Sequence, residues 1–144
     1  MRVHDVMTRD VHCIGPEASL HEAAARMKSL DVGTLPVCES DRLVGMLTDR
    51  DITVRATAEG DSPKAIRVRD VMTPDVVYCF DDQLVSEAAE LMKENQIRRL
   101  VVLNRDKRLV GIVSLGDVAV ETGDGELAGN TLEAVSEPNR PVRW

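Results

Sequence analysis

A hydroxyl side chain and a carboxylate three positions apart, where an apolar run gives way to a helix, can hold one polar ligand from two sides. The chain has this arrangement twice, in Gly45-Met46-Leu47-Thr48-Asp49-Arg50-Asp51 and in Gly111-Ile112-Val113-Ser114-Leu115-Gly116-Asp117. Thr48 and Ser114, with the backbone N–H groups of a helix start, suit a phosphate. Asp51 and Asp117 can accept both hydrogen bonds of a diol such as ribose. The same residue types cap helices, and one copy alone would imply no more than that. Arg98 and Arg99 precede an apolar run in the second copy, and guanidinium forks match phosphate oxygens. The first copy has Gly33-Thr34 there, with no cation. Arg50 is a further candidate cation, placed on the turn itself. Val11, Ile14, Val37, Val76 and Ile97 are candidate walls for a flat base, although each would serve equally as core.

The elements that must position these residues are themselves repeated. Val3-His4-Asp5-Val6-Met7-Thr8 returns as Val68-Arg69-Asp70-Val71-Met72-Thr73, Glu22-Ala23-Ala24 with Met27-Lys28 as Glu87-Ala88-Ala89 with Met92-Lys93, and Leu43-Val44-Gly45 as Leu109-Val110-Gly111. Such self-similarity is the signature of a repeat architecture. Each copy reads β-α-β-β-α. Val11 to Ile14 and Val76 to Phe80 are short β-rich runs. Ser19 with Glu22 forms a capping box before a helix. Leu35 to Cys38 and Leu100 to Leu103 are near-continuous apolar runs of the kind found in buried strands. Asp41-Arg42 and Asn104 to Lys107 are hairpin turns. Leu43 to Leu47 and Leu109 to Val113 are the next strands, and closing helices begin at Ile52 and Val118. The expected organisation is a first repeat over 1–60, a linker over 61–67, a second repeat over 68–122 and a tail over 123–144. Within the tail, Asn130 would cap a short helix from Thr131 to Val135, and Trp144 would fray or dock on a neighbour. One unit leaves a sheet face uncovered, which argues for two packing together.

Bulk properties narrow the function. The 144 residues amount to one domain or two small repeats, and with aromatics at 2% the core must be built from Val, Leu, Ile, Ala and Met. The net charge of −7 argues against a nucleic-acid footprint. No apolar run approaches the ~20 residues of a membrane span. The opening MRVHDVMTRD lacks the apolar core of a signal peptide, so a cytoplasmic location is expected.

The Asp-Val-Met-Thr entries, Arg98-Arg99-Leu100-Val101-Val102 and the two Gly-x-x-Thr/Ser-x-x-Asp endings make residues 1–122 resemble a tandem pair of CBS domains, the Bateman module. That resemblance implies an α/β (α+β) fold of two β-α-β-β-α repeats related by a pseudo-two-fold axis. Clefts between them would take adenosyl ligands. It also implies a free-standing bacterial regulatory protein that signals by a conformational shift, pairs as a homodimer and is read by an effector protein. In this reading Asp51 and Asp117 contact ribose. Thr48, Ser114, Arg98, Arg99 and Arg50 contact phosphate, and Val11, Ile14, Val37, Val76 and Ile97 line the adenine slot. The Asp51 cleft, reached by Arg98 or Arg99, is expected to be the tighter. No cofactor is required; the regulatory ligand is AMP, ADP or ATP, the last with Mg²⁺. No Ser-His-Asp, paired-carboxylate or P-loop pattern points to an enzyme.

The three cysteines, Cys13, Cys38 and Cys79, are too few for a disulfide scaffold. Cys13 and Cys38 lie on strands that a β-α-β unit can place side by side. Two readings stay open for them. They are small buried hydrophobes, or they form a redox or zinc site that tunes a structural dimer without nucleotide. No Cys-x-x-Cys spacing supports a complete metal site. The second copy has Tyr78 and Leu103 at these places, so the pair lies outside the shared ligand machinery.

Overall fold

The computed structural model describes residues 1–138; the expected role of Trp144 lies outside the described residues. In chain order the elements are α1 (Val3–Val6), α2 (Leu20–Leu30), β1 (Thr34–Glu39), β2 (Arg42–Thr48), α3 (Asp49–Arg55), a 3₁₀ turn (Thr57–Glu59), α4 (Val68–Val71), β3 (Tyr78–Phe80), α5 (Val85–Asn95), β4 (Arg99–Leu103), β5 (Leu109–Ser114), α6 (Leu115–Thr122) and α7 (Gly125–Ser136). This is a mixed α/β fold with two small sheets. It divides into two compact units, His12–Val76 and Met1–Val11 together with the chain from Val77 onward.

These units do not coincide with the sequence repeats. Each takes the opening segment of one repeat and the helix and hairpin of the other. In the His12–Val76 unit, the strap from the second repeat pairs with β2 through Met46 N–H to the Thr73 carbonyl at 2.9 Å and Thr73 N–H to the Met46 carbonyl at 2.8 Å. In the other unit, Thr8 N–H donates to the Ile112 carbonyl at 2.8 Å and Ile112 N–H returns the bond at 3.0 Å. The glycines of the repeated endings now have a reason. A Cβ on Gly45 would stand 2.7 Å from Met72 Sδ and 2.9 Å from the Thr73 carbonyl oxygen, and one on Gly111 would stand 2.6 Å from Met7 Sδ and 2.9 Å from the Thr8 carbonyl oxygen. Only glycine lets the strap close on the strand.

Within each unit local chemistry sets the elements. Ser19 Oγ accepts the Glu22 N–H at 3.1 Å and starts α2, which buries Leu20, Ala23 and Met27 at helical spacing. Its counterpart α5 buries Val85, Ala88, Ala89 and Met92, and Glu87 Oε1 accepts the Leu84 N–H at 3.0 Å. Both helices stop at a left-handed residue, Asp31 (φ 56°) or Gln96 (φ 51°). β1 and β2 form an antiparallel hairpin about Ser40-Asp41, both at positive φ. β4 pairs with β5 in the same way and with β3 in parallel.

Two expectations need correction. The first copy has no strand at Val11 to Ile14; Ile14 makes an isolated parallel bridge to Val37, its N–H donating to the Pro36 carbonyl and its carbonyl accepting the Cys38 N–H, each at 3.0 Å, while the Val11 N–H turns back to the Arg9 carbonyl. The tail helix runs from Gly125 to Ser136 and is capped by Asp124, whose Oδ1 accepts the Leu127 N–H at 2.9 Å, so Asn130 lies inside it. Gly125 and Gly129 each weaken an isolated helix by about 1 kcal/mol. Packing of Leu127 and Val135 against the core below α5 and α6, with Thr131 fully buried, offsets that cost.

Candidate functional site

The two repeated corners fold almost identically. β2 ends at Thr48 in extended conformation and α3 begins at the next residue. Thr48 Oγ1 accepts the Asp51 N–H at 3.0 Å, and Asp51 Oδ2 accepts the Thr48 N–H at 2.9 Å. At the other corner Ser114 Oγ accepts the Asp117 N–H at 3.0 Å and Asp117 Oδ2 accepts the Ser114 N–H at 2.9 Å. Both are reciprocal capping boxes. The capping role and a ligand role are compatible, because the box employs one carboxylate oxygen and leaves Oδ1 outside it. The box also fixes the carboxylate's orientation without a ligand, which lowers the ordering cost of binding.

The surroundings differ. Asp51, with 14% of its side chain exposed, has Arg55 Nε at 3.9 Å from Oδ1, one helical turn on. Arg55 also donates to the Val71 carbonyl at 3.0 Å, tying the corner to α4. The residue in register at the other corner is Glu121. Arg55 was legible from its i,i+4 spacing to Asp51 but was not singled out. The ladders add two neighbours: Thr34 stands opposite Thr48, and Arg99 stands opposite Ser114. Directly opposed residues share a sheet face, so the hairpin brings Arg99 and Ser114 together at the Asp117 corner. Thr34 supplies a second hydroxyl beside Thr48, which only the register reveals. Arg98 Nη2 instead donates to Ser136 Oγ at 3.2 Å, and its carbonyl accepts the Leu115 N–H at 2.9 Å. Arg50 is exposed, with its N–H on Asp49 Oδ1 at 2.8 Å.

The apolar candidates separate. Ile14 and Val37, at 3% and 0% exposure, meet in the parallel bridge of the Asp51 unit. Ile97 packs on the core of the Asp117 unit. Val11 and Val76 are half-buried at the ends of their units, Val11 in the Asp117 unit and Val76 in the Asp51 unit. An open recess of about 480 Å³ lies elsewhere, lined by Arg2, His4, Asp82, Gln83, Glu87 and Arg105. Its strongest charges satisfy one another. Arg105 grips Asp82 through two nitrogens at 2.7–3.1 Å and stacks 4.1 Å over Phe80. Arg105's hydrogen bonds hold the Asp82 carboxyl below the usual carboxylate range. Among the described residues no cluster of three or more His, Cys, Asp or Glu is placed to hold a metal ion. No helix among them is long and apolar enough to cross a membrane.

The model of the CBS domain matches residues 3–56 and 68–124, which contain both straps and both corners. The chain belongs to the CBS-domain family. The CBS domain-containing protein YhcV of Bacillus subtilis is 42% identical over 137 residues, 95% of this chain and 96% of that protein. The solved structure of Hypoxic Response Protein I with two coordinated zinc ions superposes with a TM-score of 0.76 at 36% identity, covering 84% of this chain and 98% of that one. The CBS domain pair of protein MJ0100, in complex with 5′-methylthioadenosine and S-adenosyl-L-methionine, superposes with a TM-score of 0.74 at 26% identity, covering 85% of this chain and all of that one.

Proposed function

We propose that this CBS-domain chain is a regulatory module that binds an adenosyl ligand, AMP, ADP or ATP, at its Thr48–Asp51 and Ser114–Asp117 corners. The observation that carries the reading is the pair of boxed carboxylates, each oriented by its own strand-end N–H with one oxygen outside the box. Asp51 and Asp117 take the ribose diol. Thr48 and Ser114 face the phosphate, with Arg99 beside Ser114 and with Arg50 and Arg98 in reserve. Val11, Ile14, Val37, Val76 and Ile97 flank the adenine. Mg²⁺ would accompany ATP. The adenosyl ligands in the MJ0100 complex support the ligand class.

Binding rather than catalysis fits the corner, since each hydroxyl is engaged as the acceptor of a backbone N–H in its capping box. The ligand acts by favouring one of the protein's conformations, a population shift that an effector protein reads. The module works in the cytoplasm as a homodimer; a hexameric relative, the CBS-CP12 protein, supports self-association in the family.

Calorimetric titration with AMP, ADP, ATP and S-adenosylmethionine tests the reading. Asp51→Asn and Asp117→Asn keep a capping acceptor but lose the charge on the diol. Each is expected to weaken binding about tenfold, the loss of one charge-assisted hydrogen bond. No heat from any of the four at millimolar concentration would sink it.

A further inference from the structure

Outside the two corners, the His12–Val76 unit holds a feature that its counterpart lacks. Cys13 precedes the bridge residue Ile14 in chain that is neither helix nor strand, and Cys38 follows Val37 at the point where the β1–β2 register slips. Ile14 sits between Pro36 and Cys38 in the parallel bridge. The Cys38 N–H donates to the Ile14 carbonyl at 3.0 Å, so the backbone at Cys38 adjoins the residue that follows Cys13. After burial, the Cys13 side chain is the neighbour that most raises the Cys38 thiol's pKa. Cys38 is 8% exposed, whereas Cys13 is half-open to solvent. The thiols are not needed for the fold: the other unit repeats the same pairing, Cys79 against Val102, with Tyr78 and Leu103 flanking it at the corresponding places.

We propose that Cys13 and Cys38 are a reversible dithiol–disulfide couple, oxidised by small disulfides of the glutathione class. The Cys13 thiolate attacks one sulfur of the small disulfide and expels the first small thiolate, leaving a mixed disulfide on the exposed residue. Cys38 then gives up its proton, attacks Cys13 Sγ and expels the second small thiolate. Two protein thiols and one small disulfide become one protein disulfide and two small thiols. Burial, with Cys13 beside it, pushes the Cys38 thiol up to about 12. Closure is therefore the slow step and speeds up as the pH rises. Cys79 is buried at 1% exposure in the other unit and has no thiol beside it in its ladder, so it stays reduced and serves as an internal control. The bond would tie the segment before Ile14 to β1, next to the Ile14–Val37 wall of the Asp51 unit. The proposal stands apart from nucleotide binding and survives if no adenosyl ligand binds.

The test equilibrates the purified full chain across a series of reduced-to-oxidised glutathione ratios, followed by intact mass and peptide mapping under thiol-blocking conditions. The expected result is a loss of two hydrogens, a Cys13–Cys38 crosslinked peptide, a free Cys79, and full reversal by dithiothreitol. Cys38→Leu, the residue of the other repeat, is expected to stop at glutathionylated Cys13. The wild-type map does not depend on how that variant folds. Crosslinks between copies only, a stable mixed disulfide on wild-type Cys13, or stoichiometric zinc masking both thiols in the purified protein would each overturn the proposal.

Discussion

The His12–Val76 unit and its counterpart carry the same strap, the same glycine and the same capping box, on residues that differ only slightly between copies. They diverge on other faces. Ala24 is exposed on α2, whereas Ala89 at the same place on α5 is fully buried, because α7 covers that face in one unit only. Arg55 follows Asp51 by one turn, whereas Glu121 follows Asp117. Two thiols stand where the other unit has Tyr78 and Leu103. The shared parts are those without which a strap cannot close on a strand or a helix cannot start. The divergent parts are surface and site chemistry, which the fold tolerates and in which each unit can specialise.

The largest break in this comparison should come from ending the chain at Thr122. Losing Leu127, Thr131 and Val135 from the face of α5 and α6 should cost about 4 kcal/mol. Hydrogen exchange should show the loss in α5 and α6 and leave α2 protected. Equal loss in both units would mean that α7 is not specific to one. Next come Gly45→Val and Gly111→Val. The added atoms meet a methionine sulfur and a backbone carbonyl, so each should cost about 3 kcal/mol in urea unfolding. A clear inequality between them would show that one strap can yield where the other cannot. Thr48→Ala and Ser114→Ala each remove one cap acceptor and should cost about 1 kcal/mol, equally in the two units.

The pH response sharpens the contrast at smaller scale. Burial raises both the Cys38 and the Cys79 thiols to about 12 from the ordinary 9.0. Between those values the folded state holds protons that the unfolded state has released, so stability falls as the pH climbs from about 9 toward 12. Melting of Cys38→Leu should flatten part of that fall, with the Cys79 part remaining.

Much of the fold could be read from particular residues. Ser19 with Glu22 announced α2, and the Thr48–Asp51 and Ser114–Asp117 spacings announced the boxes that the structure contains. The expected Val11 to Ile14 strand does not form, because β-rich composition reports a preference for extended chain, while a strand also needs partners along its length. Helix α7 is longer than its sequence suggests, because its two glycines and its polar start argue against a helix in isolation, and the packing that overrides them is not local. Arg99's place beside Ser114 and Thr34's beside Thr48 depend on hairpin register, which spacing along the chain does not display.

The sequence by itself determined the repeat, the helix and hairpin of each copy and the residues of each corner, because capping, turn formation and helical periodicity act over three or four positions. Only the tertiary structure decided which strap closes on which hairpin. Met7-Thr8 and Met72-Thr73 are chemically interchangeable, and so are the glycine edges at Gly45 and Gly111 that receive them. Local energetics cannot choose between such partners. The choice belongs to the connected chain packing as a whole.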